Sequence, residues 1–115
     1  MRVESKLKAL GLILPSPAKL PPGVQVPFAW VRLYGDRAYI SGHGPLAADG
    51  SPAPPYGKVG AEVTADRAYE AARSATLAII SSLRRTLEDL DRVTAWLQVS
   101  GMVNTALVSH TPPTS

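Results

Sequence analysis

The run of this sequence best suited to chemistry joins a serine, two glycines, a histidine and a proline, Ser41-Gly42-His43-Gly44-Pro45. It follows a short apolar stretch of strand type. Because glycine has no Cβ, a ligand can approach the main chain at Gly42, next to the Ser41 hydroxyl. Pro45 then prevents a strand from continuing with regular pairing. The run predicts a ligand site at a strand end, and the same residues also fit a simple strand-ending turn.

The sequence leaves two roles open for the histidine of this run. His43 can serve as a base, because an imidazole changes its protonation state near neutral pH, or it can be a loop histidine packed on Pro45. Ser41 lacks the G-x-S-x-G context of an activated nucleophile. Catalytic residues are therefore not assigned, and Ser41, Gly42 and His43 are candidates for ligand binding.

Metal and cofactor sites are not predicted. The second histidine, His110, lies far along the chain from His43 in a tail rich in Pro, Thr and Ser, and no acid stands at metal-ligand spacing. The glycines of Gly57-Lys58-Val59-Gly60 have the wrong spacing for a phosphate-binding loop. We therefore expect neither a bound metal ion nor a cofactor.

The elements that position the run follow from periodicity and turn signals. Residues 28–33 and 38–41 are predicted to form a β-hairpin around a turn at Gly35-Asp36. Thr64 is a suitable N-cap for a long helix over residues 65–87, whose apolar residues recur every three or four positions. This spacing predicts a helix that packs one apolar stripe against the sheet.

Residues 93–103 alternate between apolar and polar side chains, which predicts a third strand. A hairpin, a long helix and a third strand make an α+β domain with the helices on one face of the sheet. The other face carries Trp30 and Trp96 with nothing in the sequence to cover it, which predicts an assembly partner. Arg84 and Arg85 are assigned to the solvated side of the helix.

The remaining segments are less regular. Residues 1–27 are predicted to form a short N-terminal helix followed by a proline-rich arm, and residues 46–60 a surface loop. Residues 105–115 are predicted to be a disordered tail. The predicted domain therefore covers residues 1–104.

The composition excludes several classes of protein. The 115 residues suffice for one small domain, and the absence of cysteine excludes disulfides and thiolate chemistry. The net charge of +3 is carried by scattered Lys and Arg residues, which argues against nucleic-acid binding. No apolar run reaches the roughly 18 residues of a membrane span, and no signal peptide is evident. We therefore expect a cytoplasmic protein.

Several short segments, taken in order along the chain, resemble the RidA (YjgF-type) imine/enamine deaminases, a family also described as L-PSP endoribonuclease-like. The order and register of these segments carry the resemblance, which covers residues 7–104. The matching segments are Leu10-Gly11-x-x-Leu14-Pro15, the run 41–45, Gly57-Lys58-Val59-Gly60, Tyr69-Glu70-Ala71-Ala72-Arg73, Leu90-Asp91-Arg92-Val93 and Val103-Asn104.

This resemblance implies a chorismate-mutase-like fold and a homotrimer with ligand clefts between subunits. It also implies hydrolysis of reactive 2-imino or enamine acids to 2-keto acids and ammonia. Ser41 and Gly42 match a serine and a glycine that line the cleft in the family. Phe28 stands at the position of a cleft tyrosine and keeps the ring without the hydroxyl, and His43 stands where the family often has glutamine.

The family pattern continues beyond the last matching segment of this sequence. Family members add a further helix and two strands, which carry an Ala-Arg-Ser segment whose arginine holds the substrate carboxylate, and a late glutamate. Here no arginine follows Arg92 and no acid follows Asp91. We therefore expect a partial, C-terminally truncated form of the fold with impaired family activity. The alternative is a non-catalytic small-molecule-binding or assembly module.

Overall fold

The computed structural model describes residues 2–24 and 29–107. In chain order, these residues form two helices, two strands and one 3₁₀ turn. The elements are helix α1 Arg2–Ala9, strand β1 Val31–Tyr34, strand β2 Arg37–Ile40, helix α2 Ala65–Leu87 and the 3₁₀ turn Leu90–Arg92. The α+β class is confirmed. Phe28, which the resemblance places in the cleft, and the predicted tail beyond Leu107 lie outside the described residues.

The predicted hairpin is present. Strands β1 and β2 pair in antiparallel fashion, with Val31 opposite Ile40 and Tyr34 opposite Arg37. The two-residue turn between them places Gly35 at φ 61°, a left-handed conformation that matches the twist of a hairpin and that glycine adopts without strain. The observed strands begin and end within a few residues of the predicted ones.

Helix α2 has the predicted bounds, 65–87. The Thr64 hydroxyl caps it by accepting a hydrogen bond from the Arg67 N–H at 3.2 Å. The buried side chains of α2 are Ala78, Ser81, Ser82, Leu83 and Leu87. The predicted stripe is therefore right in the second half of the helix, where the core is, whereas Ala72 in the first half is exposed.

The core lies at the C-terminal end of α2. Leu83, Leu87 and Leu90 are buried there, and half-buried residues of the other elements pack around them, among them Leu7 of α1, Val31 of β1 and Ile40 of β2. Burying a leucine side chain contributes about 1.5–3 kcal/mol. This cluster therefore holds both helices and the hairpin to one another.

The predicted third strand is wrong. Among the described residues, the segment 93–103 joins no sheet, and the nearest pairing beyond it is a bridge between Val59 and Thr105. Val93 packs against the core cluster, but the apolar side chains that follow it are solvent-exposed: Trp96 is 55%, Leu97 74% and Val99 73% exposed. A groove of about 710 Å³, lined by β2 on one side and residues 92–98 on another, separates the segment from the hairpin. Alternation therefore marks a segment that can pair, but a strand also needs a neighbour within hydrogen-bonding distance.

The proline-rich arm after α1 runs along the loop that follows the hairpin. The Ser16 N–H donates to the Ala48 carbonyl and the Lys19 N–H donates to the Gly50 carbonyl, both at 2.9 Å. A Cβ on Gly50 would lie 2.1 Å from the carbonyl oxygen of Pro17, so only glycine permits this close approach. The arm is thus fixed against the body of the chain.

Helix α1 is held by a carboxylate of the 3₁₀ turn that follows α2. The Arg2 and Val3 N–H groups donate to the Asp91 carboxylate at 2.7 and 2.9 Å. An acid at a helix N-terminus satisfies free N–H groups and favours the helix dipole. The Arg2 N–H bond, followed by that of Val3, holds the pKa of Asp91 well below its usual range.

We predict that Asp91→Asn lowers the midpoint of thermal unfolding. Because the folded-state pKa of Asp91 is lowered, its contribution to stability is fully present above the unfolded carboxyl pKa of about 3.9 and is lost as pH falls through the folded value. Circular dichroism melts between about pH 2 and pH 7 should show the two proteins converging in acid. Glu70→Gln, which removes an exposed carboxylate of α2, is the charge control. An Asp91→Asn melt that matches this control at neutral pH would contradict the capping role.

Candidate functional site

Ser41 directly follows β2 and is fixed by two hydrogen bonds to the residues just before β1. Its N–H donates to the Trp30 carbonyl at 3.0 Å, and its hydroxyl donates to the Ala29 carbonyl at 2.7 Å. The hydroxyl proton is therefore used within the protein, and the Ser41 oxygen remains able to accept. Gly42 is exposed, and a Cβ built on it would meet no described atom within 4 Å.

The His43 ring connects the hairpin to helix α2. Its Nδ1 lies 2.6 Å from the Ser41 carbonyl oxygen, and its Nε2 lies 2.8 Å from the Ser82 hydroxyl oxygen. Since a carbonyl can only accept, Nδ1 carries the proton, and when the ring is neutral its Nε2 accepts from the Ser82 hydroxyl. The ring also packs on Trp30, with ring centroids 4.9 Å apart.

The connection continues from Ser82 to a second serine through an arginine. Nη2 of Arg85 donates to the Ser82 hydroxyl at 3.0 Å, and Nη1 donates to the Ser81 hydroxyl at 2.7 Å. The Ser81 hydroxyl donates in turn to the Pro15 carbonyl of the proline-rich arm at 2.6 Å. We call this chain of six residues, from Ser41 through His43, Ser82, Arg85 and Ser81 to Pro15, the His43–Arg85 network.

The arginine is the charged member of this network. Desolvation lowers the pKa of Arg85, although a guanidinium stays protonated at any physiological pH. Both serines that accept from it are buried. The network therefore holds one cation between neutral partners, at the boundary between the protein and solvent.

Sequence reasoning missed Ser81, Ser82 and Arg85. The assignment of Arg85 to the solvated side agrees with its exposure. Its guanidinium, however, donates hydrogen bonds to the buried hydroxyls of Ser81 and Ser82. A signal was present: two adjacent serines interrupt the apolar stripe of α2, and an arginine follows at a spacing of three and four residues, where helix side chains meet. His43 was found, and its partner on α2 was not.

The groove between β2 and residues 92–98 is a separate feature. Apolar side chains line much of it, among them Leu33, Leu83, Leu87 and Trp96. Ser41, Gly42 and His43 are not among its lining residues. The structure thus brings Ser41 and His43 together at the strand end, next to α2, and neither residue lines the groove.

Three carboxylates meet at the base of α1. Oxygens of Glu4, Asp89 and Asp91 lie within 4.8 Å of one another. Asp91 accepts from the first N–H groups of α1, and Glu4 accepts from the Leu90 N–H at 3.4 Å. Arg84 lies 3.9 Å from the same Glu4 oxygen. These contacts explain the cluster as a cap that ties α1 to the end of α2.

In the part of the chain that the structure describes, no helix is both long enough and apolar enough to cross a bilayer.

This chain is similar to a protein of known structure, a presumed endoribonuclease from Shewanella oneidensis MR-1 whose crystal structure has been solved. The two share 31% sequence identity with a TM-score of 0.64, over 77% of this chain and 55% of that one. The chain therefore spans about half the length of that relative. No family model matches the sequence, and no curated protein matches it.

We predict that Ser82→Ala destabilises the protein by about 1–3 kcal/mol, because it leaves His43 Nε2 without a donor and Nη2 of Arg85 without its serine acceptor. Urea unfolding followed by tryptophan fluorescence measures the loss. Ser74→Ala, at a half-buried serine of the same helix outside the network, is the matched control. If the two variants unfold at the same urea concentration, the network does not stabilise the fold.

Proposed function

Since the chain belongs to the YjgF-type, L-PSP endoribonuclease-like family, we propose that it acts on reactive 2-imino or enamine acids. In this reaction water adds to the carbon of the C=N bond, the C–N bond breaks, and ammonia leaves with the 2-keto acid as product. The strand-end placement of Ser41 is the observation that carries the proposal.

Ser41 is suited to position a water or a substrate oxygen. Its hydroxyl is oriented by donation to the Ala29 carbonyl. The hydroxyl oxygen can therefore accept a hydrogen bond from a bound water without a change of side-chain rotamer. The exposed main chain at Gly42 lies next to it. Positioning of this kind supplies a large part of many rate accelerations, since misplacement by about 1 Å can cost 10²-fold in rate.

His43 supports Ser41 and is not itself the proposed base. Both of its ring nitrogens are engaged within the protein, one by the Ser41 carbonyl and one by Ser82. A histidine held in this way fixes the main chain on both sides of Gly42. We therefore assign His43 a positioning role at the strand end.

The 115-residue polypeptide lacks the carboxylate-binding Ala-Arg-Ser segment of the family. A bidentate arginine supplies both charge and geometry to a carboxylate substrate. Hydrolysis by this polypeptide should therefore be slower than by a relative that carries the segment, by on the order of 10²-fold.

A second candidate function is assembly without catalysis. It is favoured by the exposed apolar side chains of residues 96–103, including Trp96 and Met102, and by the outer edge of β2, which pairs with no other strand among the described residues. Exposed apolar area beside an open sheet edge promotes association of chains. The partner we propose is a further copy of this chain, in the homotrimer that the family resemblance implies.

RNA cleavage, the activity in the description of the Shewanella relative, has weaker support. Arg2, Lys19 and Arg84 each lie within 4.0 Å of an acid of the same chain. These pairs reduce the basic surface available to a phosphate backbone, on which affinity for RNA depends.

We predict that the purified chain accelerates ammonia release from an imino acid generated by an amino-acid oxidase, and that Ser41→Ala reduces this acceleration about 10-fold or more. Ser74→Ala should leave it unchanged. The Shewanella relative, assayed alongside, gives the reference rate. Equal rates for the chain and Ser41→Ala would exclude the proposed role of Ser41, and a rate no higher than buffer would favour the assembly function.

We predict that the chain self-associates and that Trp96→Ser shifts it toward the monomer, because the substitution removes a large exposed ring from the associating segment. Size-exclusion chromatography with light scattering measures the mass. Tyr69→Ser, at an exposed aromatic residue of α2, should leave the mass unchanged. A chain that is monomeric before any substitution would contradict the assembly proposal.

A further inference from the structure

Arg85 is a cation whose partners within the described chain are both neutral. Its terminal nitrogens donate to the hydroxyls of Ser81 and Ser82. Among the described residues, none of the carboxylates lies within 4.0 Å of it, whereas the preceding arginine, Arg84, lies 3.9 Å from Glu4. The Arg85 charge is therefore not compensated by an acid of this part of the chain.

The two serines hold the guanidinium in a defined orientation. The Ser81 proton goes to the Pro15 carbonyl, and, when the His43 ring is neutral, the Ser82 proton goes to its Nε2. Each hydroxyl thus presents only lone pairs to Arg85. Because both serines are buried and bonded on their far side, the long arginine side chain has already lost much of its rotamer freedom before any ligand binds.

The guanidinium still has donors to offer. It carries five N–H groups, of which the two serines use two, leaving three. Arg85 is exposed, so a small ligand can reach the remaining donors from solvent. A planar anion with two oxygens matches adjacent guanidinium N–H groups better than a single-point acceptor does. A single cation without a second basic partner favours a ligand of one negative charge.

We propose that Arg85 binds the carboxylate of a small monoanionic ligand through the guanidinium donors that Ser81 and Ser82 leave unused. The resemblance to known relatives directs attention to an arginine beyond residue 92, whereas this site lies on α2 and is built by residues of this chain alone. The inference requires only binding, so it does not depend on imine hydrolysis. If the proposed function also holds, Arg85 anchors the carboxylate of the substrate.

Titration of the full chain with acetate and with 2-oxobutanoate, followed by NMR of the Arg85 Nε–H and of the backbone amides of residues 81–86, tests the site. We expect a saturable shift of the Arg85 resonance with Kd in the millimolar range, about −4 kcal/mol. In the backbone amides, which every variant retains, Arg85→Gln should abolish the saturable shift, and Arg85→Lys should raise the Kd about 10-fold, since an ammonium cannot form the two parallel bonds. Arg84→Gln, which removes the neighbouring ion-paired arginine, should leave it unchanged.

Two further arms define the chemistry of the ligand. Acetamide, a neutral molecule of the same shape, should produce no saturable shift. Inorganic phosphate should bind more weakly than acetate, and equal or tighter binding of phosphate would overturn the carboxylate assignment. Ser82→Ala retains the Arg85 charge and should weaken acetate binding several-fold if orientation by the serines matters.

The proposal is overturned if the Arg85 resonance shifts linearly without saturation, or if Arg84→Gln and Arg85→Gln reduce binding equally. Should Arg85→Gln fail to fold, the Arg85→Lys and Ser82→Ala titrations decide. Imine hydrolysis assayed on the same proteins keeps the two proposals apart. Saturable binding without hydrolysis retains this site and contradicts the proposed function, and hydrolysis without binding at Arg85 does the reverse.

Discussion

The structure depends on one imidazole held between a strand end and a helix. His43 bonds through Nδ1 to the Ser41 carbonyl and through Nε2 to the Ser82 hydroxyl. These are the points at which a two-stranded hairpin, too small to be stable alone, gains a polar connection to α2. The leucine cluster at the end of α2 supplies the apolar part of the same contact. The histidine hydrogen bonds fix the orientation of the hairpin relative to α2, and the buried leucines supply most of the stabilisation.

This single connection couples the candidate site to the rest of the chain. Through Ser82 and Arg85 the network reaches Ser81 and then the Pro15 carbonyl of the proline-rich arm. The strand end, the second half of α2 and the arm therefore share one set of hydrogen bonds. A buried network is strong only when every member is satisfied, because a polar group left unpaired in a low dielectric is costly. Ser81 and Ser82, on the buried face of α2, supply the hydrogen bonds that satisfy the other members of the network.

The parts of the fold predictable from sequence are those specified by local interactions. Helix α2 has its own cap at Thr64 and its own periodicity, and the hairpin has a turn whose glycine takes a left-handed conformation. Residues 93–103 carry the alternation of a strand, but pairing depends on a neighbour that local sequence does not specify. The contacts of Ser82 with His43 and of Ser81 with Pro15 were missed for the same reason, because these partners lie 39 and 66 residues apart along the chain.

The His43–Arg85 network is tested most directly by the tautomer of His43. The ¹⁵N chemical shifts of the two ring nitrogens, measured at a pH where the ring is neutral, report this tautomer. The network requires a protonated Nδ1, donating to the Ser41 carbonyl, and an unprotonated Nε2, accepting from Ser82. The account predicts a His43 ring held almost entirely as the Nδ1–H tautomer. A predominant Nε2–H tautomer, or a mixture like that of a solvated histidine, would contradict the network and the site built on it.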